Sequence, residues 1–580
     1  MAHARRFTLC AAALVGWTSA ALHTRVPTAA LRRTVSSGAR THALASATAP
    51  AANPLLDQAA LPRFGTIDAS HVQPAMSELL GEFTRGLRAL EADLSVALRS
   101  DQPGTLTWAS VVERLERLRA PLEYSYGVVS HLTGVKSSDA LRDAHQQVQP
   151  LVVEAMSSFQ QSRPLCDAYR RLIADSDAAV VAGDAPTLDD AQRRIVQSAL
   201  AEMELAGVAL EGEAQARFNA IKLELAELAT TFSNHVLDAT KAYGLELTSR
   251  EQVAGFPPSL LAMTAAAAAA AGNAHATAEA GPWRVTLDGP CYVSLMQSAS
   301  DRSLRERVYR AYATRAGAGS AFDNSATVRR VLELRASMAA LLGRESYAHV
   351  SLARKMAGEP AAVNALIERV RDAARPAAEA ELGELRAFAA ERGQAEPLAL
   401  WDVPYWAERR REALFAFSDE ELRAYFPLER VLDGLFALVD KLFSVAVVRA
   451  DGEAEAWHAD VGYYKLIDRA TGEERAAFFL DPYARPAEKR PGAWMDVCTG
   501  RSEALGRKPV AYLTCNSAPP VGEMPALLAF RDVQTLFHET GHGARSPAPS
   551  GTPLTRAVGH PAHPRRRAPR SPAPSGTPLT

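Results

Sequence analysis

The stretch FNAIKLELAELATTFSNHV, residues 218–236, places apolar side chains at Phe218, Ile221, Leu225, Leu228, Phe232 and Val236, spaced 3, 4, 3, 4 and 4. That spacing follows the 3.6-residue turn and predicts one apolar stripe along a long α-helix. Such a stripe has to be covered by other helices, so the segment implies a fold built of helices packed on helices. His235 falls beside the stripe and reads as a helix-surface residue. The same periodicity runs through nearly the whole region from about Asn53 to Leu247.

Working outward, Ala265 to Ala271 is an uninterrupted alanine run closed by Gly272 and Asn273, which reads as a helix and its C-terminal stop. Trp283 to Leu287 is a short strand candidate, and helix is expected to return at about Ser303. Pro360 stands at a good first helical position, followed by Val363, Leu366, Ile367 and Val370. Pro376 is expected to kink or break that helix before Leu382, Leu385 and Phe388 resume the period. Helix is expected to dominate up to about Val448. Between Trp457 and Asn516 the texture changes. Val461 to Ile467, Ala476 to Leu480 and Pro509 to Thr514 are short β-branched or aromatic runs separated by Gly, Pro and Asp clusters, which predicts a small sheet.

Directly after that sheet comes His538-Glu539-Thr540-Gly541-His542, an HExxH motif. On a helix the two histidines project from one face, one turn apart, and can offer two imidazole nitrogens to a single zinc ion. Glu539 then lies beside the metal and can take a proton from a bound water, the general-base role in metal-assisted peptide hydrolysis. Val533, Leu536 and Phe537 precede the motif at helical spacing, and Asp532 suits the first turn. Gly541 is costly inside a helix, which points to close packing near the metal. The preceding sheet offers an edge to which an extended peptide can add as a strand.

The chain has 580 residues and a net charge of −2, with 47% hydrophobic residues. Residues 1–56 and 543–580 each hold six arginines and no acid; removing those twelve positive charges leaves the body, 57–542, at −14. An acidic body excludes nucleic acid as the main partner. No apolar run is long enough for a membrane helix, so no stable membrane association is expected. The five cysteines are far apart without a CxxC pair, and Cys166, Cys291, Cys498 and Cys515 read as buried free thiols. Residues 1–52, rich in Arg, Ser, Thr and Ala, read as a disordered targeting segment for plastid or mitochondrion, with a cytosolic protein as the alternative.

Words spread along the body resemble the thimet oligopeptidase family (M3) of zinc metallopeptidases, and most of all its oligopeptidase A branch with the organellar relatives. They include Asn53-Pro54-Leu55-Leu56, Ser130-His131-Leu132, Asn234-His235-Val236-Leu237-Asp238-Ala239-Thr240 and Phe479-Leu480-Asp481-Pro482-Tyr483-Ala484-Arg485. Gly492-Ala493-Trp494-Met495-Asp496 and Lys508-Pro509-Val510-Ala511-Tyr512-Leu513-Thr514-Cys515-Asn516 continue the series up to the motif. The resemblance implies a mainly α, two-lobed helical fold around a channel that admits short peptides, with a small β-sheet before the HExxH helix. It implies an N-terminal helical region over 53–250, and over 251–544 the first part of a catalytic region. It also implies one zinc ion held by His538 and His542, Glu539 as catalytic base, short peptides as substrates and a monomeric protein. Thr540 departs from the family, which usually has a large apolar residue there.

Beyond the motif the agreement stops. A catalytic zinc needs a third protein ligand, which in this family is a glutamate on the next helix, near position 565. Arg565-Arg566-Arg567 stands there, no Asp or Glu follows Glu539, and the metzincin alternative fails because residue 548 is Ala. Residues 545–580 carry RSPAPSGTPLT twice and read as a disordered Pro/Arg-rich tail, which implies that the catalytic region is truncated. Two readings follow. One is an oligopeptidase A-like zinc metalloendopeptidase; the other is a catalytically incomplete product of such a gene, lacking the third zinc ligand.

Overall fold

The computed structural model describes residues 53–543 except 59, 101, 103, 523 and 524. The expected targeting segment, 1–52, and tail, 545–580, lie outside the described residues. Within them the protein is mainly α with two small sheets.

The N-terminal helices begin where a side chain satisfies their free amides. Asp68 caps α1 (Ala69–Ala97), and His71 completes a capping box. α2 (Arg114–Val135) leads to α3 (Asp139–Gln160), α4 (Arg163–Ala182) and α5 (Asp190–Leu205), capped by Ser138, Ser162 and Asp189. α6 (Gly212–Ala242) carries the stripe of residues 218–236 as expected. Beyond it, β1 (Leu245–Leu247) and β2 (Trp283–Val285) form an antiparallel pair. Between them α7 (Pro258–Ala270) holds the alanine run, which stops before Gly272 at φ 107°.

α8 (Gly289–Ser298) starts earlier than the expected return of helix at Ser303, because Asp288 provides an N-cap that accepts from Cys291 N. α9 (Arg302–Ala313), α10 (Ser325–Leu341) and α11 (Tyr347–Leu352) follow. The stripe on α6 is only half covered. Phe218 and Ile221 are buried with Leu334 and Met338 of α10, whereas Phe232 is 42% exposed. α10 begins only at Ser325, so the neighbour of Phe232 is the preceding loop: Asn324 donates to the Phe232 carbonyl and contacts His235 Nδ1 at 2.9 Å. His235 is therefore tethered across to that loop, not free at a helix surface.

α12 (Pro360–Glu391) begins at Pro360 as expected but runs through Pro376 without a break. Residues 371–380 are exposed, so water can satisfy the Asp372 carbonyl that Pro376 leaves without a donor. α13 (Val403–Phe415), α14 (Asp419–Arg423) and α15 (Leu428–Phe443) complete the helical stretch.

The second sheet has five strands: β3 (Val445–Arg449), β4 (Gly462–Asp468), β5 (Glu474–Tyr483), β6 (Trp494–Thr499) and β7 (Val510–Ser517), in the order β3-β4-β5-β7-β6. Only the β5–β7 pair is parallel, with Phe479 opposite Tyr512. Three strands fall where the pattern placed them. β3 lies inside the stretch expected to be helical, and β6 was not foreseen. Both faces of this sheet are buried, with alternating residues going to different cores. Tyr463, Phe479 and Tyr512 face the largest core, shared with α1–α5; Tyr464, Phe478, Leu480 and Leu513 face a second core with α15 and the last helix among the described residues, α16 (Phe530–Gly543). No described helix is long and apolar enough to cross a membrane. Cys166, Cys291, Cys498 and Cys515 are buried free thiols.

Candidate active site

α16 bears the HExxH residues. Asp532 in its first turn accepts from Ala529 N at 3.0 Å, and Leu536, 3% exposed, anchors the helix to the core above β7. Anchoring at Leu536 fixes which residues turn outward. His538 and His542 are exposed, and their Nε2 atoms stand 3.0 Å apart with the rings nearly perpendicular at 85°. Two imidazole nitrogens on one tetrahedral zinc are roughly 3.3 Å apart for bonds of about 2.05 Å, so the pair is spaced to share one ion. Among the described residues no group of three His, Cys, Asp or Glu side chains is placed to hold a metal.

Glu539, between the two histidines in sequence, is only 6% exposed. Burial raises its carboxyl above the usual range, against the opposing pull of His538 and His542. Among the described residues no donor satisfies it, so its lone pairs are free for a substrate or a water. Thr540 turns to the apolar groove between α15 and the sheet, beside Phe436, Phe478 and Leu513. Its hydroxyl donates to the Leu536 carbonyl at 2.7 Å, which lets a polar residue sit there without an orphaned group. Gly541 differs from expectation: a Cβ added there meets no atom within 4 Å. It shares the outward side with the histidines, so it is not a close-packing glycine among the described residues.

Beneath the helix lies a charged cluster built from Asp481, Arg485 and Lys489. Asp481, fully buried on β5, accepts from Trp457 Nε1 (2.9 Å), from both Arg485 Nη atoms (2.7 Å each) and from Lys489 Nζ (2.8 Å). Lys489 also donates to the carbonyls of Tyr483 (2.7 Å) and Cys515 (2.6 Å), and Arg485 to that of Val135 (3.1 Å). One ion cluster thus ties α2 to β5 and to β7, the strand that supports Glu539. His131, at the end of the same space, is stacked on Tyr512 at 3.7 Å and edges Trp457 at 4.3 Å. Burial pushes its pKa down to about 3, so it is neutral. A sequence signal existed in the spacing of Asp481, Arg485 and Lys489, but only burial distinguishes such residues from surface ion pairs.

Two family descriptions match the chain: Peptidase family M3 over residues 295–547, and Neurolysin/Thimet oligopeptidase, N-terminal domain, over residues 76–215. The chain is similar to the organellar oligopeptidase A, chloroplastic/mitochondrial, of Arabidopsis thaliana, with 41% identity over 84% of this chain and 60% of that protein. It is also similar to the probable cytosolic oligopeptidase A of the same plant, with 41% identity over 86% of this chain and 70% of that one. Oligopeptidase A of Salmonella typhimurium shares 38% identity over 85% of this chain and 69% of its own. The chain thus spans between three fifths and seven tenths of the length of these relatives.

Proposed function

The chain belongs to peptidase family M3, and on that premise we propose that it is an oligopeptidase A-like zinc metalloendopeptidase acting on short peptides. His538 and His542 would hold one zinc ion, and Glu539 is the general base. When bound, zinc supplies Lewis-acid polarisation of the peptide carbonyl and lowers the pKa of water. The remaining work falls to this chain's own groups. Glu539, buried and without a donor, accepts the proton of the attacking water and returns it to the leaving amine nitrogen. β6, an edge strand beside α16, leaves one side open among the described strands, so an extended peptide can add there and be held in register. The observation that carries the reading is the 3.0 Å approach of the two Nε2 atoms next to a buried carboxylate. The protein acts as a monomer in an organelle, plastid or mitochondrion, with the cytosol as the alternative address.

A second reading rests on the ligand count. Residues 540–580 hold no acid, so within that stretch no carboxylate can serve as a third ligand beside the histidine pair. With two ligands zinc is held poorly, and the chain is then a non-enzymatic product that at most binds peptides. Zinc per chain after dialysis, together with cleavage of a quenched peptide, separates the two. Stoichiometric zinc and a rate that falls roughly 10²- to 10⁴-fold in Glu539→Gln support the peptidase. A metal-free, inactive chain selects the second reading.

A further inference from the structure

A cavity of about 450 Å³ opens between α2, α3 and α6 and is closed on one side by Arg490. That size suits a short peptide segment or a small molecule. Its walls combine Leu122, Val152 and Leu237 with polar groups from three elements. Most of the charges there are already matched. Arg142 is paired with Asp238 at 2.9 Å and with Asp139, Glu123 with Arg119, and burial holds His145 neutral with a pKa of about 4.

Arg490 is the exception. Its backbone is pinned, with its N–H donating to the Gly134 carbonyl at 2.8 Å and its carbonyl accepting from Asn516 Nδ2 at 3.0 Å. The guanidinium lies over the Trp494 ring at 4.9 Å, open to the cavity. Among the described residues it has no carboxylate in ion-pair contact and no hydrogen-bond acceptor, and Asp496 acts on it only through space, so its five N–H donors have no direct protein partner. Ser233 and Asn234 of α6 line the same cavity, and among the described residues their side chains are also without hydrogen-bond partners. A guanidinium without a direct partner, lining one cavity together with free hydroxyl and amide groups, suits a planar anion that also accepts hydrogen bonds, and a carboxylate has that shape and charge.

We propose that this cavity is a carboxylate-binding site for short peptides, with Arg490 holding the carboxylate and Ser233 and Asn234 contacting the residue that bears it. The ligand class rests on the peptide reading above; the site itself does not require hydrolysis. The carboxylate comes from the C-terminus of the peptide or from an acidic side chain. β6 starts at Trp494, so the segment carrying Arg490 runs directly into the edge strand beside α16.

Binding of short peptides labelled with a carboxylate-free fluorophore to the full chain, read by anisotropy, tests this. Four versions of one peptide are compared: a free acid with an internal Glu, the C-terminal amide, the Glu-to-Gln form, and the form with both changes, which has no carboxylate. Arg490→Gln should weaken the carboxylate-bearing peptide roughly 10- to 100-fold, the range for loss of a charge-assisted pair. Arg490→Lys should recover part of that affinity. Ser233→Trp, which fills the cavity from α6 and leaves the guanidinium in place, should weaken binding as well, and circular dichroism with thermal melting confirms folding of each variant. The modification that abolishes the Arg490 dependence, amide or Gln, identifies the source. Unchanged affinity in Arg490→Gln overturns the proposal, as does equal weakening of a peptide with no carboxylate. Failure to cleave a quenched peptide while Arg490-dependent binding persists would remove the peptidase reading and leave the site standing.

Discussion

Replacing Asp481 by Asn keeps the shape of the side chain and removes one negative charge from a site with no solvent access. Arg485 and Lys489 would then be two buried cations facing an amide, with only Glu488, at 2.8 Å from Arg485 Nε, left to balance them. Removing one member of a buried ion cluster costs about 3–5 kcal/mol, because the remaining charge is left without compensation. The retained Glu488 places the expected loss near about 3 kcal/mol. Burial pushes the Asp481 carboxyl upward, but Arg485 and Lys489 outweigh it and hold the pKa below the usual carboxylate range. Because the folded pKa is depressed, this stabilisation is present in full above the unfolded pKa of about 3.9 and is lost as pH falls through the folded value. The gap between wild type and Asp481→Asn should therefore be widest at neutral pH and close in acid. Urea unfolding followed by tryptophan emission measures it, and Trp457, bonded to Asp481, reports locally. The double variant Asp481→Asn/Lys489→Met should be less destabilised than the two single effects added, since the second change removes a stranded cation. A shift under about 1 kcal/mol at pH 7, or strict additivity, would refute the buried-cluster argument.

Three further outcomes are expected. Leu536→Ala opens a cavity under α16 and should cost about 2–5 kcal/mol while lowering zinc affinity in a chelator competition; an unchanged melting temperature would mean that this contact does not anchor the motif. His131 is neutral in the fold, with a pKa of about 3, and protonates first in the unfolded chain. Stability should thus fall by an amount on the order of 4 kcal/mol as pH drops from 6.5 to 3, and His131→Phe, which preserves stacking on Tyr512, should flatten that slope; an identical acid profile would contradict it. Residues 1–56 fused to a fluorescent reporter should direct it to plastids or mitochondria, and a reporter that stays in the cytosol ends the organellar reading.

What could be read from the chain alone was periodic or local. The 3, 4, 3, 4, 4 spacing from Phe218 to Val236 specified α6, the short β-branched or aromatic runs between Gly, Pro and Asp clusters specified β4, β5 and β7, and HExxH specified two histidines on one helical face. Each of these depends on residues a few positions apart, where backbone geometry alone decides the neighbours. Tertiary structure decided the rest, because it depends on which distant segments meet. That α10 covers α6 only up to about Leu228, that Pro376 passes through an exposed helix, and that Gly541 has open space are consequences of what stands opposite them. The same holds for charge. Asp481, Lys489 and Arg490 look in sequence like any surface residues, and only the fold puts the first two beyond water and leaves the third lining a cavity with no carboxylate in direct contact.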